Sequence, residues 1–424
     1  MTLTPANAEQ TQNLDADRTP RGSVLGAEEA GTVPVLGAEE AVRVAGRLAA
    51  QIAAGAAERD SRRILPVGEV RALAESGLLA ISVPEAYGGA GLPASVVAEV
   101  FRIIAAGDPN VAQIPHSHFV YLNQAVRQGS GAQKQRIFAE VLQGRTIGNA
   151  QSERGTAHVR DFRTTLTPDG PGRWRLNGTK FYCTGALLAD RVAVLAHRGV
   201  DGPMAVAWVD RDAPGLEVID DWDAVGQRTT ASGTVRLTDV AVTDEWITPY
   251  AVMFDAPQTY GAYAQLLHAA IDAGIARAAL DDAAEFVRTK SRPYPDAGVL
   301  RAADDPLVVQ AFGDLELAVR AADAVLGEAG RVLDRANADL TAETAGAASL
   351  AVAAARAITT KTSVEVSSRL FEVSGTRSAL AELDLDRHWR NARTHTLHDP
   401  AAWKVQHLGR WAVDGVLPPR HGQI

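Results

Sequence analysis

The chain has 424 residues, 46% of them hydrophobic and 22% charged, with a formal net charge of −9. That length can bury a large core and predicts two or three packed units, and the composition is that of an ordinary soluble globular enzyme. The charge excludes nucleic acid as a partner, because phosphate binding needs a basic face.

No apolar run is long enough to span a bilayer, and no signal-type apolar core begins the chain. A single cysteine, Cys183, excludes an internal disulfide framework. The sequence therefore predicts a cytoplasmic protein without membrane contact.

Residues 1–38 carry no periodic apolar face and read as a disordered leader. The heptapeptide VLGAEEA occurs twice there, at Val24–Ala30 and Val35–Ala41, as a local duplication. From Glu39 the pattern turns helical, with Val42, Val44, Leu48 and Ile52 on one stripe. Helical signals continue through Val70–Leu79 and Val96–Ala106, broken by PEAYGGAG at Pro84–Gly91. Gly89, Gly91 and Ala94 match GxGxxA, but Pro93 interrupts the match and no strand–turn–helix unit surrounds it, so a dinucleotide fold is rejected. Two histidines follow in QIPHSHFVYLN, Gln113–Asn123, and Gln133–Leu142 is a further amphipathic helix.

From Thr146 to about Pro249 short runs alternate apolar and polar residues between turns. PDGPG turns the chain, Asn177-Gly178 is a strong hairpin signal, and Val192–Leu195 and Ala205–Val209 read as buried strands. Long helices then return over Gln265–Lys290, Pro306–Ala336 and Ala345–Val373, with Gly375 as a C-terminal stop. The expected division is a leader (1–38), an N-terminal helical domain (39–145), a central β domain (146–250), a C-terminal helical bundle (251–410) and a tail (411–424).

The segment Trp389–Pro400, WRNARTHTLHDP, concentrates titratable groups. His395 and His398, three apart, would share a helix face, and His388 stands seven residues before His395. Imidazole can take and give a proton near neutral pH, which suits acid–base work. A pair of satisfied, partly buried structural histidines is the commoner explanation of an isolated HxxH. A zinc site is the third reading, but HxxH is not HExxH and Cys183 is distant, so no metal is expected.

The order helices, β domain, helical bundle is similar to the acyl-CoA dehydrogenase superfamily. Glu58–Gly89 resembles its first domain, and GNAQSERG (Gly148–Gly155) and WRLNGTKFYCTGALLAD (Trp174–Asp190) resemble its flavin-contacting β segments. DDWDAVGQRTTASGTV, AAIDAGIARAA, RTKSRPY, GTRSALAELDLDRHWRNARTHTLHDP and the terminal PPRH resemble one branch closely, that of SfnB-type sulfur-acquisition oxidoreductases and dibenzothiophene desulfurization monooxygenases.

The resemblance implies an α+β fold of acyl-CoA dehydrogenase type: an N-terminal helical domain, a central β-barrel domain and a C-terminal four-helix bundle. It implies FMN, used as FMNH2. The flavin contacts implied are Asn149, Ala150, Gln151, Ser152, Glu153 and Arg154; Lys180, Phe181, Tyr182, Cys183 and Thr184; and Arg292, Thr376 and Arg377 at the phosphate and ribityl chain. Trp222 and His118 are the implied substrate contacts. Physically, an amide and hydroxyls can bond the isoalloxazine edge, Thr184 as a donor near N5, and a guanidinium forks onto phosphate. Cys183 is expected to pack rather than react.

Some dehydrogenases of the superfamily abstract an α-proton with a Glu in a Tyr-Glu-Gly string. Here the corresponding run is His398, Asp399, Pro400, which shifts attention to His398 as acid or base, supported by His395, with Asn149 and Thr184 holding the flavin. The expected activity is a two-component monooxygenase that takes FMNH2 from a separate NAD(P)H-dependent flavin reductase and uses O2 to oxygenate a small organosulfur compound, as a homotetramer. The rivals are an FAD-dependent acyl-CoA dehydrogenase using Asp399 and a catalytically silent helical scaffold.

Overall fold

A computed structural model describes residues 31–158 and 161–424. Seven helices come first: α1 (Ala38–Ala53), α2 (Ala56–Arg62), α3 (Val67–Glu75), α4 (Ala94–Gly107), α5 (Pro109–Gln113), α6 (His116–Gln128) and α7 (Gly131–Leu142). Local signals mark several of their ends. Gly77 follows α3 in a left-handed conformation, so the helical signal toward Leu79 continues only as a 3-10 turn. Asp108 caps α5 by accepting from the Asn110 N–H, with Pro109 in the first turn. Ser130 and Gln133 form a reciprocal capping box on α7.

Eight strands follow: β1 (Ile147–Ala150), β2 (Thr165–Pro168), β3 (Arg173–Lys180), β4 (Arg191–Arg198), β5 (Met204–Asp210), β6 (Leu216–Ile219), β7 (Thr234–Thr243) and β8 (Ile247–Pro249). They form one sheet in the order β6-β7-β3-β2-β4-β5-β8, with β1 parallel to β4. The β2–β3 hairpin turns at Asp169–Gly172, within PDGPG.

Asn177-Gly178 is not a turn. It lies inside β3, at a register shift against β7. A Cβ on Gly178 would collide with the Thr164 side chain, and Asn177 exchanges hydrogen bonds with Asp239. The local signal for a turn is thus used for a bulge.

The remaining helices are α8 (Tyr260–Thr289), α9 (Pro306–Ala338), α10 (Ala342–Ser374), α11 (Arg387–His395) and α12 (Ala401–Asp414). The three long ones pack on one another, α4 packs on α8, and α12 packs on α10. One core joins α1, α4, α8, α9 and α10 through residues such as Phe101, Leu266, Leu333 and Val352. A second joins α6 and α7 to the sheet through Tyr121, Phe138 and Trp208. The N-terminal half of α8 is buried on every side, which explains why so apolar a stretch is helical without being amphipathic.

Two expectations need correction at the ends. Residues 1–30 of the predicted leader, with the first VLGAEEA copy, lie outside the described residues, but Val33 and Leu36 are buried and the Val33 N–H donates to Leu142 O. The predicted tail is helical to Asp414, and Ile424 is buried against the start of α8, where Gly261 leaves room for its carbonyl.

Candidate active site

α8 supplies the first two groups. His268 and Asp272 are four residues apart and therefore share a face. Asp272 Oδ1 lies 2.5 Å from His395 Nδ1, and His268 Nδ1 lies 3.1 Å from His395 Nε2. The other Asp272 oxygen pairs with Arg356 of α10 and accepts from Thr360 Oγ1 at 3.2 Å. Burial alone would raise the Asp272 carboxyl, but Arg356 and His395 hold it below its usual range.

α11 ends at His395 because the turn Thr396–Asp399 runs into Pro400, which cannot continue a helix. That turn returns His398 onto the helix end, where its Nδ1 lies 2.7 Å from the His395 carbonyl oxygen. Its ring centroid is 4.9 Å from that of His395 and 4.6 Å from that of His268.

The break between α5 and α6 at Ile114-Pro115 presents Gln113 to both histidines. Its Oε1 lies 3.1 Å from His395 Nε2 and its Nε2 lies 3.2 Å from His398 Nε2. His116 opens α6, stacks on His268 with centroids 3.9 Å apart, and donates from Nε2 to Ala264 O at 3.0 Å.

Burial pushes His116 down to about 4 and His268 further, the neighbouring cations adding to the effect. His398 is lowered too, by the surrounding protein and then by His395. It stands at the solvent-open edge of the cluster, which limits how far burial acts there. Asp399 is committed to Lys404 Nζ at 2.7 Å and faces Arg356 Nη2 at 3.7 Å, so the carboxylate of the dehydrogenase rival is neutralised.

Nitrogen atoms of His268, His395 and His398 lie within 4.8 Å of one another. Their contacts to Asp272, Gln113 and each other make this a hydrogen-bonded cluster.

The β segments pack beside this cluster and form a wall of their own. The Asn149 N–H, on β1, donates to Thr184 O at 3.1 Å, and Asn149 Nδ2 donates to Tyr182 O at 3.2 Å. Tyr182 is exposed and left-handed, and Arg154 lies over the Phe181 and Tyr182 rings. Trp222 meets Tyr182 edge to face and donates from Nε1 to Gln227 O. Gln151 Oε1 accepts from Tyr121 Oη, and the Phe181 N–H donates to Ser152 O.

The Thr184 hydroxyl joins a chain through Ser232 and Thr230 to the Gln227 carbonyl. That carbonyl can only accept. The protons of Thr230, Ser232 and Thr184 therefore all point toward it, and Thr184 is left with lone pairs outward: an acceptor where the sequence suggested a donor.

Two close approaches lock this wall to the cluster. A Cβ on Gly226 would collide with Arg390 O, and the next N–H, of Gln227, donates to Asn391 Oδ1 at 2.6 Å. Gly185, in a left-handed conformation, lies against Ile114, the residue after Gln113.

Several predicted contacts are corrected. Glu153 and Lys180 are a buried ion pair at 2.7 Å, with Lys180 also donating to Gln151 O, so they shape the Gln151–Arg154 turn from behind. Ala150 is a core side chain and offers only backbone. Cys183 is buried and its thiol is pushed up to about 12, so it packs. His118 is spent on backbone, its Nε2 donating to Leu79 O and its Nδ1 accepting from the Ile147 N–H, which leaves no nitrogen for a substrate. His388 is paired with Asp282, away from the cluster.

Arg292, Thr376 and Arg377 are exposed beyond the far ends of α8 and α10, where Arg377 donates to Lys290 O. The stretch of helix from His268 to Thr289 puts them about 30 Å from the cluster.

Sequence reasoning missed Gln113, His116, His268, Asp272 and Arg356. The i,i+4 pair of His268 and Asp272 was visible, but nothing local assigns it to His395.

Three acyl-CoA dehydrogenase family profiles match this chain: the N-terminal domain at residues 39–145, the middle domain at 150–240 and the C-terminal domain at 266–402. A dibenzothiophene monooxygenase of Rhodococcus qingshengii is 34% identical over 393 residues, covering 89% of this chain and 94% of the relative. A probable FMNH2-dependent monooxygenase, SfnC, of Pseudomonas putida is 31% identical over 387 residues, covering 89% and 96%. The FMN-bound crystal structure of TdsC from Paenibacillus sp. A11-2 superposes with a TM-score of 0.86 at 32% identity, covering 91% of this chain and 100% of that one. The chain belongs to the acyl-CoA dehydrogenase superfamily, in the branch of the dibenzothiophene monooxygenases and SfnC.

Proposed function

We propose that this chain is the oxygenase of a two-component monooxygenase, taking FMNH2 from a separate NAD(P)H-dependent reductase and oxygenating a small organosulfur compound. A sulfide, O2 and FMNH2 become a sulfoxide, FMN and water, so atoms and electrons balance. The relatives' activities support this reading. Within the chain, the observation that carries it is the pairing of a hydrogen-bonded imidazole, His398, with a carboxylate, Asp399, already neutralised by Lys404.

The residues fit a flavin. Asn149, Ser152 and Thr184 offer polar groups along one wall, and Tyr182 and Trp222 offer flat surface. The Gln227 amide and Thr229 hydroxyl are buried there without protein partners among the described residues. Bound FMNH2 supplies the electrons and the site of oxygen activation. The chain orients it, excludes water, and holds a proton acceptor at His398 Nε2.

Arg292, Thr376 and Arg377 lie farther from His398 than one FMN molecule reaches. We therefore propose that a second copy completes each site with these residues, in a homotetramer. None of the described helices is long and apolar enough to cross a membrane, and a reductase using NAD(P)H favours the cytoplasm.

The test supplies FMN, NADH, a flavin reductase, 18O2 and a panel of thiophenes, sulfoxides and sulfones. Incorporation of 18O by the native chain, lost in His398→Ala with FMN binding retained, is expected. Reduction of bound flavin by an acyl-CoA without oxygen would instead establish the dehydrogenase. Mixed oligomers of His398→Ala and Arg377→Ala chains should regain activity, since hybrids carry intact composite sites. Absence of any regain would refute the shared site.

A further inference from the structure

Gln113 sits between two imidazoles whose outer nitrogens both face groups that only accept. His398 Nδ1 faces the His395 carbonyl at 2.7 Å, and His395 Nδ1 faces the Asp272 carboxylate at 2.5 Å. Each Nδ1 must therefore carry a hydrogen. If both rings were neutral, both Nε2 atoms would be bare lone pairs directed at the Gln113 carboxamide. Its NH2 can satisfy one of them, at His398, but its oxygen would then face the other lone pair at 3.1 Å. One extra proton removes the conflict. Turning the amide end for end only moves the demand to the other ring, so the count holds for either orientation.

Charge decides where the proton rests. The groups facing the network are Asp272 and His268 from α8, Arg356 from α10, His116 from α6, Asp399 from the turn and Lys404 from α12. Asp272 touches His395 directly, so the cation belongs on His395, whose Nε2–H has Gln113 Oε1 as acceptor and, in the His268 tautomer that bares Nδ1, a second acceptor there.

We infer that Gln113 is a positioning residue that keeps a protonated His395 and a neutral His398 as one unit, capping the His398 Nε2 lone pair until the amide turns away and frees it as the base. The amide makes the two protonation states exclusive: a proton reaching His398 must be matched by its loss from His395 and by an end-for-end turn of the Gln113 amide. This rests on the assignment of His398 proposed above.

The experiment is the pH dependence of product formation at saturating FMNH2 for the native chain, Gln113→Leu and Gln113→Glu. Leucine removes the amide donor that favours the neutral His398 ring while burial and His395 continue to act, so the acid limb should move up by about one pH unit. Glutamate accepts from both rings and should move the limb further in the same direction. FMN affinity and the circular dichroism of both variants should match the native chain.

Profiles that superimpose after scaling would overturn the inference, leaving Gln113 a packing residue. If Leu fails to fold, the Glu profile alone decides on the same criterion. A fully active His398→Ala would sink the assignment beneath it. An inactive His398→Ala with unmoved limbs at residue 113 would sink only the role of Gln113.

Discussion

His268 Nδ1 and His395 Nε2 lie 3.1 Å apart although 127 residues separate them in the chain. The contact gives the His395 Nε2–H a second acceptor in the His268 tautomer that bares Nδ1. His268→Phe, which keeps a flat ring against His116, is expected to lower turnover by about tenfold, the worth of one modest hydrogen bond, with FMN binding unchanged. Steady-state kinetics check this, and an unaltered turnover number would remove His268 from the active network.

The Glu153–Lys180 pair is buried at both ends. Lys180→Met strands the carboxylate, and breaking a buried pair from one side costs about 3–5 kcal/mol. Chemical denaturation should show that loss. A variant of native stability that fails only to bind FMN would return Lys180 to the flavin site.

Gly226 lets the loop before β7 reach the backbone of α11. Gly226→Ala must separate the two and lengthen the bond from the Gln227 N–H to Asn391 Oδ1. Misplacing catalytic groups by about 1 Å can cost on the order of a hundredfold in rate. Product formation should fall by that order while the far-ultraviolet spectrum stays native, and near-native kinetics would contradict the coupling.

His116 and His118 are both held near 4 by burial, against an ordinary value of about 6.5. Their folded-state pKa values are depressed, so their stabilising contribution is present above pH 6.5 and is lost as the pH falls toward 4. Each corresponds to roughly 3 kcal/mol across that window. Stability measured by denaturant from pH 7 to pH 4 should fall steeply, and His118→Gln should flatten the curve. Equal slopes in the two proteins would mean that His118 is not buried neutral.

The sequence by itself determined the order of helices, sheet and helices, because periodicity and caps are local and repeat over many residues. It also marked the WRNARTHTLHDP segment, whose composition needs no fold to be noticed. Asn177-Gly178 was misread because the φ freedom that suits a hairpin also suits a bulge, and only the Thr164 side chain packed on it decides which.

Only the tertiary structure could choose among the histidines. His118 and His116 are two residues apart on one helix, yet one is spent on Leu79 and Ile147 while the other stacks on His268. Glu153 and Lys180 looked like flavin contacts, but their buried side chains pair with each other instead. Partners such as Asp272 and Gln113 come from helices more than a hundred residues before His395. A hydrogen bond needs a few ångströms of separation and a set direction, and the packing of α5, α8 and α11 fixes both.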